Sequence, residues 1–555
     1  MTNDAVIQSP RNRIALFFQD PMWMVGPALG LLFLITVVPI VSLIIESLTN
    51  PSFGLSVYVD LLSRAGFQSA LLRTLEMMVA LTVVTLLLGY PYAYAMTLAS
   101  RRMWMILAVL VMLPLWTSLI ARTFAWMVIL ADHGIINDTL AHFGLGPVKL
   151  IRTSFGVSVA MTQLLLPFMV LPIYNAMVNV DPRLLRAARS LGASNFTVFR
   201  TVYLPLTLPG VIAGTLFVSI MALGFYVTPT LLGSPREAMI AQFIGTQTNR
   251  LLAFNVAGAA SAILIAVILA MMLLTARVVK IGNLAGSMSG MGRNYGTGQM
   301  PLLLSVYVFL LGVILVLPLP VIIVLSFPGK ASFQFPPEAF SLRFYANLLS
   351  DPVWLQALRN TMLIGVSAAA VSTLSGALAA YALFRTRYAG KQLIFGVLML
   401  PLLVPAIVGA VGAYVFFLNL GWAGSRASII LAHAALGLPF VVVSISSALV
   451  QFDRRLELAA MSLGAGWSTS IATVTLPLIA PAFISGGLFA FVTSFDEVTY
   501  SLFLQGPENR TLPVQMYMSI SSEIDPTVAA ASTVVTLITT ILFLAANWRR
   551  RKNEA

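Results

Sequence analysis

The chain contains no cysteine, only three histidines and little charge. Asp, Glu, Lys and Arg make up 9% of its 555 residues, against about 25% in a soluble domain. Without cysteine there is no disulfide framework and no thiol chemistry. His133, His142 and His433 are scattered through the chain and form no metal-ligand cluster, so no metal site is expected. A phosphate-binding loop is missing too. None of the five lysines follows a Gly and precedes Ser or Thr; Gly329-Lys330-Ala331 and Gly390-Lys391-Gln392 both fail that test. The chain is therefore not expected to hydrolyse ATP by itself, and no catalytic residues are assigned.

What is present is apolar surface. Hydrophobic residues make up 59% of the chain and mean hydropathy is +0.93. Apolar runs of about 20 residues recur, each long enough to cross a bilayer core. The expected class is an all-α polytopic membrane protein. The net charge of +13 raises the possibility of a nucleic-acid partner, but its distribution argues against one. The segments assigned to the cytoplasm carry the whole basic excess and the rest of the chain is close to neutral. That is the positive-inside bias of a membrane protein. Arg11 and Arg13 hold the N-terminus inside, and Arg549-Arg550-Arg551-Lys552 the C-terminus. No short apolar core with a small-residue cleavage site marks a removable signal peptide.

Twelve spans are expected. Six lie at about 25–45, 70–98, 105–130, 155–179, 210–232 and 256–275. Six more lie at about 301–325, 357–384, 394–418, 428–450, 482–505 and 528–547. The second set repeats the first. Thr74/Thr361, Gly89/Gly376, Tyr94/Tyr381 and Pro114/Pro401 are separated by 287. Asp181/Asp453, Gly192/Gly464, Pro205/Pro477 and Pro209/Pro481 are separated by 272. The external loop near residue 140 accounts for the change of offset. An even number of spans per half makes the repeats parallel. The expected division is 1–280 for the first six-span repeat, 281–300 for a Gly- and Ser-rich cytoplasmic linker, and 301–555 for the second repeat.

Between spans four and five of each half lies a polar segment, Asp181–Pro209 and again Asp453–Pro481. Each reads as a short helix, a turn and a second short helix. Asp181 is placed as N-cap with Pro182 at the first helical position. Leu184, Ala187, Ala188 and Leu191 share one face, with Arg183, Arg186 and Arg189 around the rest. Gly192 is placed to end the helix in a left-handed conformation. A small Ala face suits close docking into a groove on another protein. These segments resemble the "EAA" loop of membrane subunits in ATP-binding-cassette (ABC) importers: Glu-Ala-Ala, three residues, Gly, nine residues, Ile, one residue, Leu-Pro. Ala187, Ala188, Gly192, Val202, Leu204 and Pro205 fit in the first copy, and Ala459, Ala460, Gly464, Val474, Leu476 and Pro477 in the second. The Glu position is filled by Arg186 and by Leu458, with Glu457 one residue early.

Ser494-Phe495-Asp496-Glu497 falls within the expected eleventh span. Adjacent carboxylates in an apolar span mark a substrate or ion path, or else sit at the outer interface or cap a re-entrant turn. Glu76, in the second span beside Arg73, reads as an interfacial or Arg-paired carboxylate, with a place on the path as the alternative. The Ser-Phe-Asp-Glu stretch, with Leu512-Pro513 and Asp525-Pro526 after it, looks like the second membrane subunit of spermidine/putrescine importers. Gly224-Phe225-Tyr226-Val227-Thr228-Pro229 looks like the first subunit. The candidate path residues are thus Ser494, Phe495, Asp496, Glu497, Tyr226 and Thr228. The resemblance implies a type I ABC importer permease fold in the bacterial inner membrane, with both halves fused into one chain. It implies two copies of a cytoplasmic ATPase, which would carry ATP and Mg, and one external solute-binding protein. A polyamine-like cation is the expected solute, with opines, phosphonates or other small solutes as alternatives. The rival class is a secondary transporter of the major facilitator type. Its Gly-Asp-Arg-rich signature is missing at Ser100–Met103 and Arg385–Lys391. A membrane scaffold would need neither carboxylates in a span nor an ATPase.

Overall fold

A computed structural model describes residues 21–278, 299–330, 334–386, 390–522 and 525–553. Arg11, Arg13 and residues 281–298 of the expected linker lie outside the described residues. The first half comprises α1 (Pro21–Thr49), α2 (Ala65–Leu98), α3 (Arg101–Trp116), α4 (Leu119–Ile129), α5 (Ser154–Val178), α6 (Pro182–Ser190), α7 (Asn195–Gly224), α8 (Val227–Leu232), α9 (Ile240–Asn249) and α10 (Phe254–Val278). The second comprises α11 (Leu302–Leu325), α12 (Pro352–Arg385), α13 (Lys391–Leu398), α14 (Ala406–Asn419), α15 (Arg426–Gln451), α16 (Arg455–Ser462), α17 (Trp467–Phe495), α18 (Thr499–Leu504), α19 (Leu512–Ser522) and α20 (Thr527–Asn553).

Among the described residues, nine helices are long and apolar enough to cross a membrane. The pair α3 and α4 adds a tenth if taken as one span bent by 99°. Ala406–Asn419 and Thr527–Leu542 are shorter apolar helices, and they stand where the ninth and twelfth spans are expected. The twelve expected segments are therefore all helical, but the third, fifth, ninth and eleventh are broken rather than continuous. α2 and α12 each have 34 residues, about 51 Å at 1.5 Å per residue. That exceeds a hydrocarbon core of about 30 Å, so both helices extend well beyond the lipid.

The repeat seen in the sequence is a repeat of contacts. Thr74 Oγ1 accepts the Ile240 N–H at the start of α9 (2.8 Å), and Thr361 Oγ1 accepts the Leu512 N–H at the start of α19 (2.6 Å). Gly89 faces Met169 and Val170, as Gly376 faces Val441 and Val442. The hydroxyls of Ser47 and Tyr58 meet at 2.7 Å, and those of Ser326 and Tyr345 at the same distance. The first span of each half reaches across to the other. α1 packs on α14 as well as on α10, and α11 packs on α3 and α4. The seam between halves is thus an interlocked core rather than a flat face.

Gly258 of α10 holds α1 in place by close approach. A Cβ there would stand 2.3 Å from the Leu43 carbonyl oxygen and 3.1 Å from Ser47 Cβ. Gly258→Val is expected to destabilise the purified protein by about 1–3 kcal/mol, the range for overpacking. Gly26→Ala, with nothing within 4 Å of the added carbon, is expected to be neutral. Thermal unfolding in detergent measures both.

Candidate functional site

The two Ala-Ala segments project from the body as expected, with one difference in build. Asp181 Oδ1 accepts the Arg183 N–H at 2.8 Å, and Asp453 Oδ1 accepts the Arg455 N–H at 2.9 Å. Each short helix ends at a glycine with positive φ, +85° at Gly192 and +92° at Gly464. The turn is closed by Ala193 N–H to the Ala188 carbonyl (3.2 Å) and by Ala465 N–H to the Ala460 carbonyl (3.1 Å), the pattern of a left-handed helix end. Open space surrounds both glycines, so backbone conformation is what requires them. The difference concerns the second short helix, which runs on into the next span. A single wide turn, Phe199–Tyr203 and Ile471–Thr475, joins the two parts in each copy. Pro205 and Pro477 follow it. Proline has no N–H to give and its ring crowds the carbonyl four residues back, and the wider turn absorbs both.

These loops present apolar side chains away from any core. Leu191, Leu463 and Phe196 are 88%, 90% and 71% exposed. Arg186, Ala187, Ala459, Pro205, Leu476 and Pro477 are exposed as well, and Ala188, Ala460 and Leu204 half-buried. Glu457 alone among the loop residues singled out from the sequence is buried. Its carboxylate accepts from Arg385 Nη1 (2.6 Å) and from Thr475 Oγ1 (2.6 Å). It holds the loop and is not presented to a partner.

The candidate path residues separate into two groups. The eleventh span ends at Phe495, earlier than expected, and Asp496, Glu497 and Val498 form a break before α18. The carboxylates therefore sit at a helix break and not within a continuous span. Asp496 reaches across the seam to the start of α4, its two oxygens accepting the Leu119 N–H at 3.2 and 3.0 Å. Glu497 Oε1 accepts the Tyr500 N–H at the start of α18 (2.8 Å). Tyr226 is half-buried, with its hydroxyl near that of Tyr517 and its ring 5.9 Å from that of Phe503. These contacts to Tyr517 and Phe503 also cross the seam. Ser494, Phe495 and Thr228, by contrast, are buried packing residues. Ser494 Oγ bonds His433 Nδ1 (2.7 Å), Phe495 stacks near Phe491, and Thr228 Oγ1 meets Thr123 Oγ1 (3.0 Å).

The structure adds residues that the sequence reading passed over. Arg122, 7% exposed, lies on the first turn after the break between α3 and α4. Its Nε donates to the Ser118 carbonyl at 3.4 Å while Nη1 has no hydrogen-bond partner. It lies within electrostatic reach of Asp496. A charged residue in an expected span was the available signal. His433 is held between Ser494 and Ser501. Glu76 is exposed on α2.

The seam contains the same junction twice. By the repeat offsets, Ser118 and Leu119 correspond to Pro405 and Ala406, and Asp496 corresponds to Gly224. At the second junction Gly224 lies so close to the start of α14 that a Cβ would stand 2.7 Å from Pro405 Cβ. Arg122 corresponds to Gly409, against which the Tyr500 hydroxyl is packed. One junction is therefore charged, the other glycine-lined and aromatic.

A family model described as binding-protein-dependent transport system inner membrane component matches residues 78–283 and 372–553. The spermidine/putrescine transport system permease protein PotB of Escherichia coli (strain K12) is 33% identical over 224 residues, 40% of this chain and 81% of that protein. PotC of Haemophilus influenzae, a permease protein of the same kind of system, is 32% identical over 250 residues, 45% of this chain and 97% of that protein. PotB of Haemophilus influenzae is 38% identical over 177 residues, and the chain spans 62% of its length. Among solved structures, a bacterial alginate ABC transporter with an alginate pentasaccharide-bound periplasmic protein aligns at a TM-score of 0.40 and 19% identity. The alignment covers 48% of this chain and 94% of that one.

Proposed function

The chain belongs to the family of binding-protein-dependent transport system inner membrane components, and from that membership we propose that it forms the whole translocation pathway of an importer for a polyamine-like cation. It is a multi-pass inner-membrane translocation subunit of an ABC importer, not an enzyme, and it works with an ATPase and a solute-binding protein. Membership in this family sets aside the major facilitator and scaffold readings. The domain division stays as read from the sequence: repeats at 1–280 and 301–555, joined by a linker at 281–300. Two copies of the ATPase would dock, one on each Ala-Ala loop, and ATP and Mg would be held there and not by this chain. One external binding protein would deliver the solute. The exposed apolar side chains of Leu191, Phe196 and Leu463 support the docking role, since outside the lipid they lack a covering surface. The residues of the loops that would carry it are Arg186, Ala187, Ala188, Gly192, Leu204, Pro205, Ala459, Ala460, Gly464, Leu476 and Pro477. Glu457 would act by holding the second loop.

The observation that carries the solute assignment is the pair Asp496 and Glu497 at a helix break on the seam between halves. A carboxylate there offsets the hydration a cation loses on leaving water. PotB and PotC are named for spermidine and putrescine, both cations at neutral pH, and this supports the same class here. Tyr226, which meets Phe503 across the seam, would be a further path residue. Ser494, Phe495 and Thr228 would shape it from behind.

Three tests follow from these assignments. Gly192→Val and Gly464→Val are each expected to insert normally but to lose stimulated ATPase activity in the purified complex, because a β-branched residue resists positive φ. Full stimulation in both variants would sink the docking assignment. On orientation, both termini and both loops are proposed to be cytoplasmic, with the segments near Asp138, Arg236 and Glu508 external. A single cysteine at Asn195 is then expected to resist an impermeant reagent in intact cells, and labelling there would contradict this. On charge, Asp496→Asn keeps an oxygen to accept the Leu119 N–H, so the fold is retained while the charge is lost. Together with Glu497→Gln it is expected to lower the maximal rate of spermidine uptake, with binding-protein affinity unchanged. Wild-type uptake by the double variant would remove both residues from the path.

A further inference from the structure

The two loops are tied to the body by different chemistry. In the second half, Glu457 is 3% exposed. Its carboxylate takes the Arg385 Nη1 and the Thr475 hydroxyl, and its backbone carbonyl takes the Ser470 hydroxyl (3.4 Å). Arg385 also reaches the Tyr381 hydroxyl (3.3 Å), and Trp467 lies edge-on to the Tyr381 ring (6.4 Å). By the repeat offsets the first-half counterparts of Glu457, Arg385 and Thr475 are Leu185, Leu98 and Tyr203. There the loop is held by rings: Tyr203 against Tyr94 (5.9 Å), and Phe199 against Tyr90 and Tyr203 (6.2 Å each). One anchor is a directional ion pair with hydrogen bonds. The other rests mainly on ring contacts, which tolerate sliding and tilting, with a single hydroxyl pair, Tyr90 and Thr207 (3.0 Å), beside them.

The helices behind the anchors differ in the same sense. Arg385 is the last residue of α12, which carries proline only at its first turn. Its counterpart α2 has Pro91 in its interior, where a backbone hydrogen bond is lost and bending is easy. The far end of α12 grips the opposite side of the protein. Asn360 Nδ2 donates to the carbonyls of Glu508 (2.8 Å) and Arg510 (3.1 Å), Thr361 takes the start of α19, and Trp354 Nε1 donates to Asp525 (3.2 Å). An unbroken helix of about 51 Å thus has an ion pair at the loop end and a hydrogen-bonded cluster at the other.

We propose that Glu457 and Arg385 are positioning residues for energy coupling, clamping the second loop to α12 so that this helix transmits ATPase movement rigidly to the external side, while the first half follows compliantly. The clamp rests on the docking reading of the loops given above. Neither residue is placed to touch solute or nucleotide. Their effect is on how much of the loop's displacement reaches the external end.

The test is to copy the first half into the second. Arg385→Leu with Glu457→Leu removes both charges together, leaving no orphan charge in the protein, and such replacements are often neutral for stability. Cysteines introduced at Leu251 and Glu508, clean reporters in a chain without native cysteine, carry spin labels on the external side of each half. The readout is the ATP-driven change in label distance in the complete complex with ATPase and binding protein, together with ATP turnover. In the Leu/Leu variant, ATP turnover is expected to persist while the distance change falls by more than half. Arg385→Lys, which keeps the charge, is expected to retain most of it. A full distance change in the Leu/Leu variant overturns the clamp, and so does a loss that Arg385→Lys shares with ATP turnover intact. Absence of any ATP-driven change in the unaltered chain would instead overturn the docking reading beneath it. Should the Leu/Leu variant fail to assemble, Glu457→Gln in the same assay decides between the same two outcomes.

Discussion

A backbone N–H in hydrocarbon has no water to turn to, so a break in a helix is tolerated there only where protein covers it. The described breaks in the expected spans obey this constraint by gathering at one place. The break between α3 and α4, that before α14, and those after α7 and α17 meet where the two halves face each other. Leu119 opens α4 with an N–H that has no partner within its own helix, and the carboxylate of Asp496 supplies one from the other half. Asp496 also places negative charge at a helix N-terminus, where the helix dipole favours it. The same contact therefore satisfies a backbone group, fixes the register of the halves, and sets a carboxylate in the seam. A seam built from helix ends has polar backbone groups that lipid-facing helices do not.

Much of this was legible in the sequence because it is periodic or repeated. Twelve apolar segments, the offsets of 287 and 272, the Asp caps and the left-handed glycines all follow from local chemistry, and the structure realises each as the same contact made twice. What stayed hidden depends on partners far apart in the chain. Nothing in Leu113-Pro114-Leu115-Trp116-Thr117-Ser118-Leu119 announces a 99° bend two residues past Trp116. Its enabling partner, Asp496, is 377 residues away. Glu457 lies one residue from the motif position, which points to a docking face. Its burial depends on Arg385, 72 residues earlier. The wide turns before Pro205 and Pro477 were concealed for another reason. Proline signals a boundary, and whether the helix stops or merely widens is decided by how the flanking segments pack.

The repeat also shows which differences between the halves matter. Where the halves use the same contact, the residues are the same or similar: Thr74 and Thr361, Gly89 and Gly376, Asp181 and Asp453. Where they differ, the change is a coordinated exchange. Asp496 and Arg122 at one junction stand against Gly224 and Gly409 at the other. Glu457 and Arg385 at one loop stand against Leu185 and Leu98 at the other. In each case both members of the pair change, which leaves no buried charge without a partner close by. A lone replacement would strand a charge in a region of low dielectric, and breaking one partner of such a pair is far costlier than replacing both.

Halves of unlike sequence permit this division. When two identical chains assemble, any residue placed at one junction is also placed at the other, so a carboxylate that suits one side burdens both. In a single chain the junctions can diverge while the scaffold stays twofold. The scaffold is fixed by backbone geometry and small residues, and it sets where helices break and where loops protrude. The seam thus gains a polarity across its twofold. Asp496 and Glu497 lie on one flank only, with Arg122 beside them, and the aromatic side chains Tyr226, Phe503 and Tyr517 lie along the same seam. The two junctions of the seam are therefore chemically unlike although the backbone frame is repeated: a carboxylate meets the helix start at Leu119, and a glycine meets the one at Ala406.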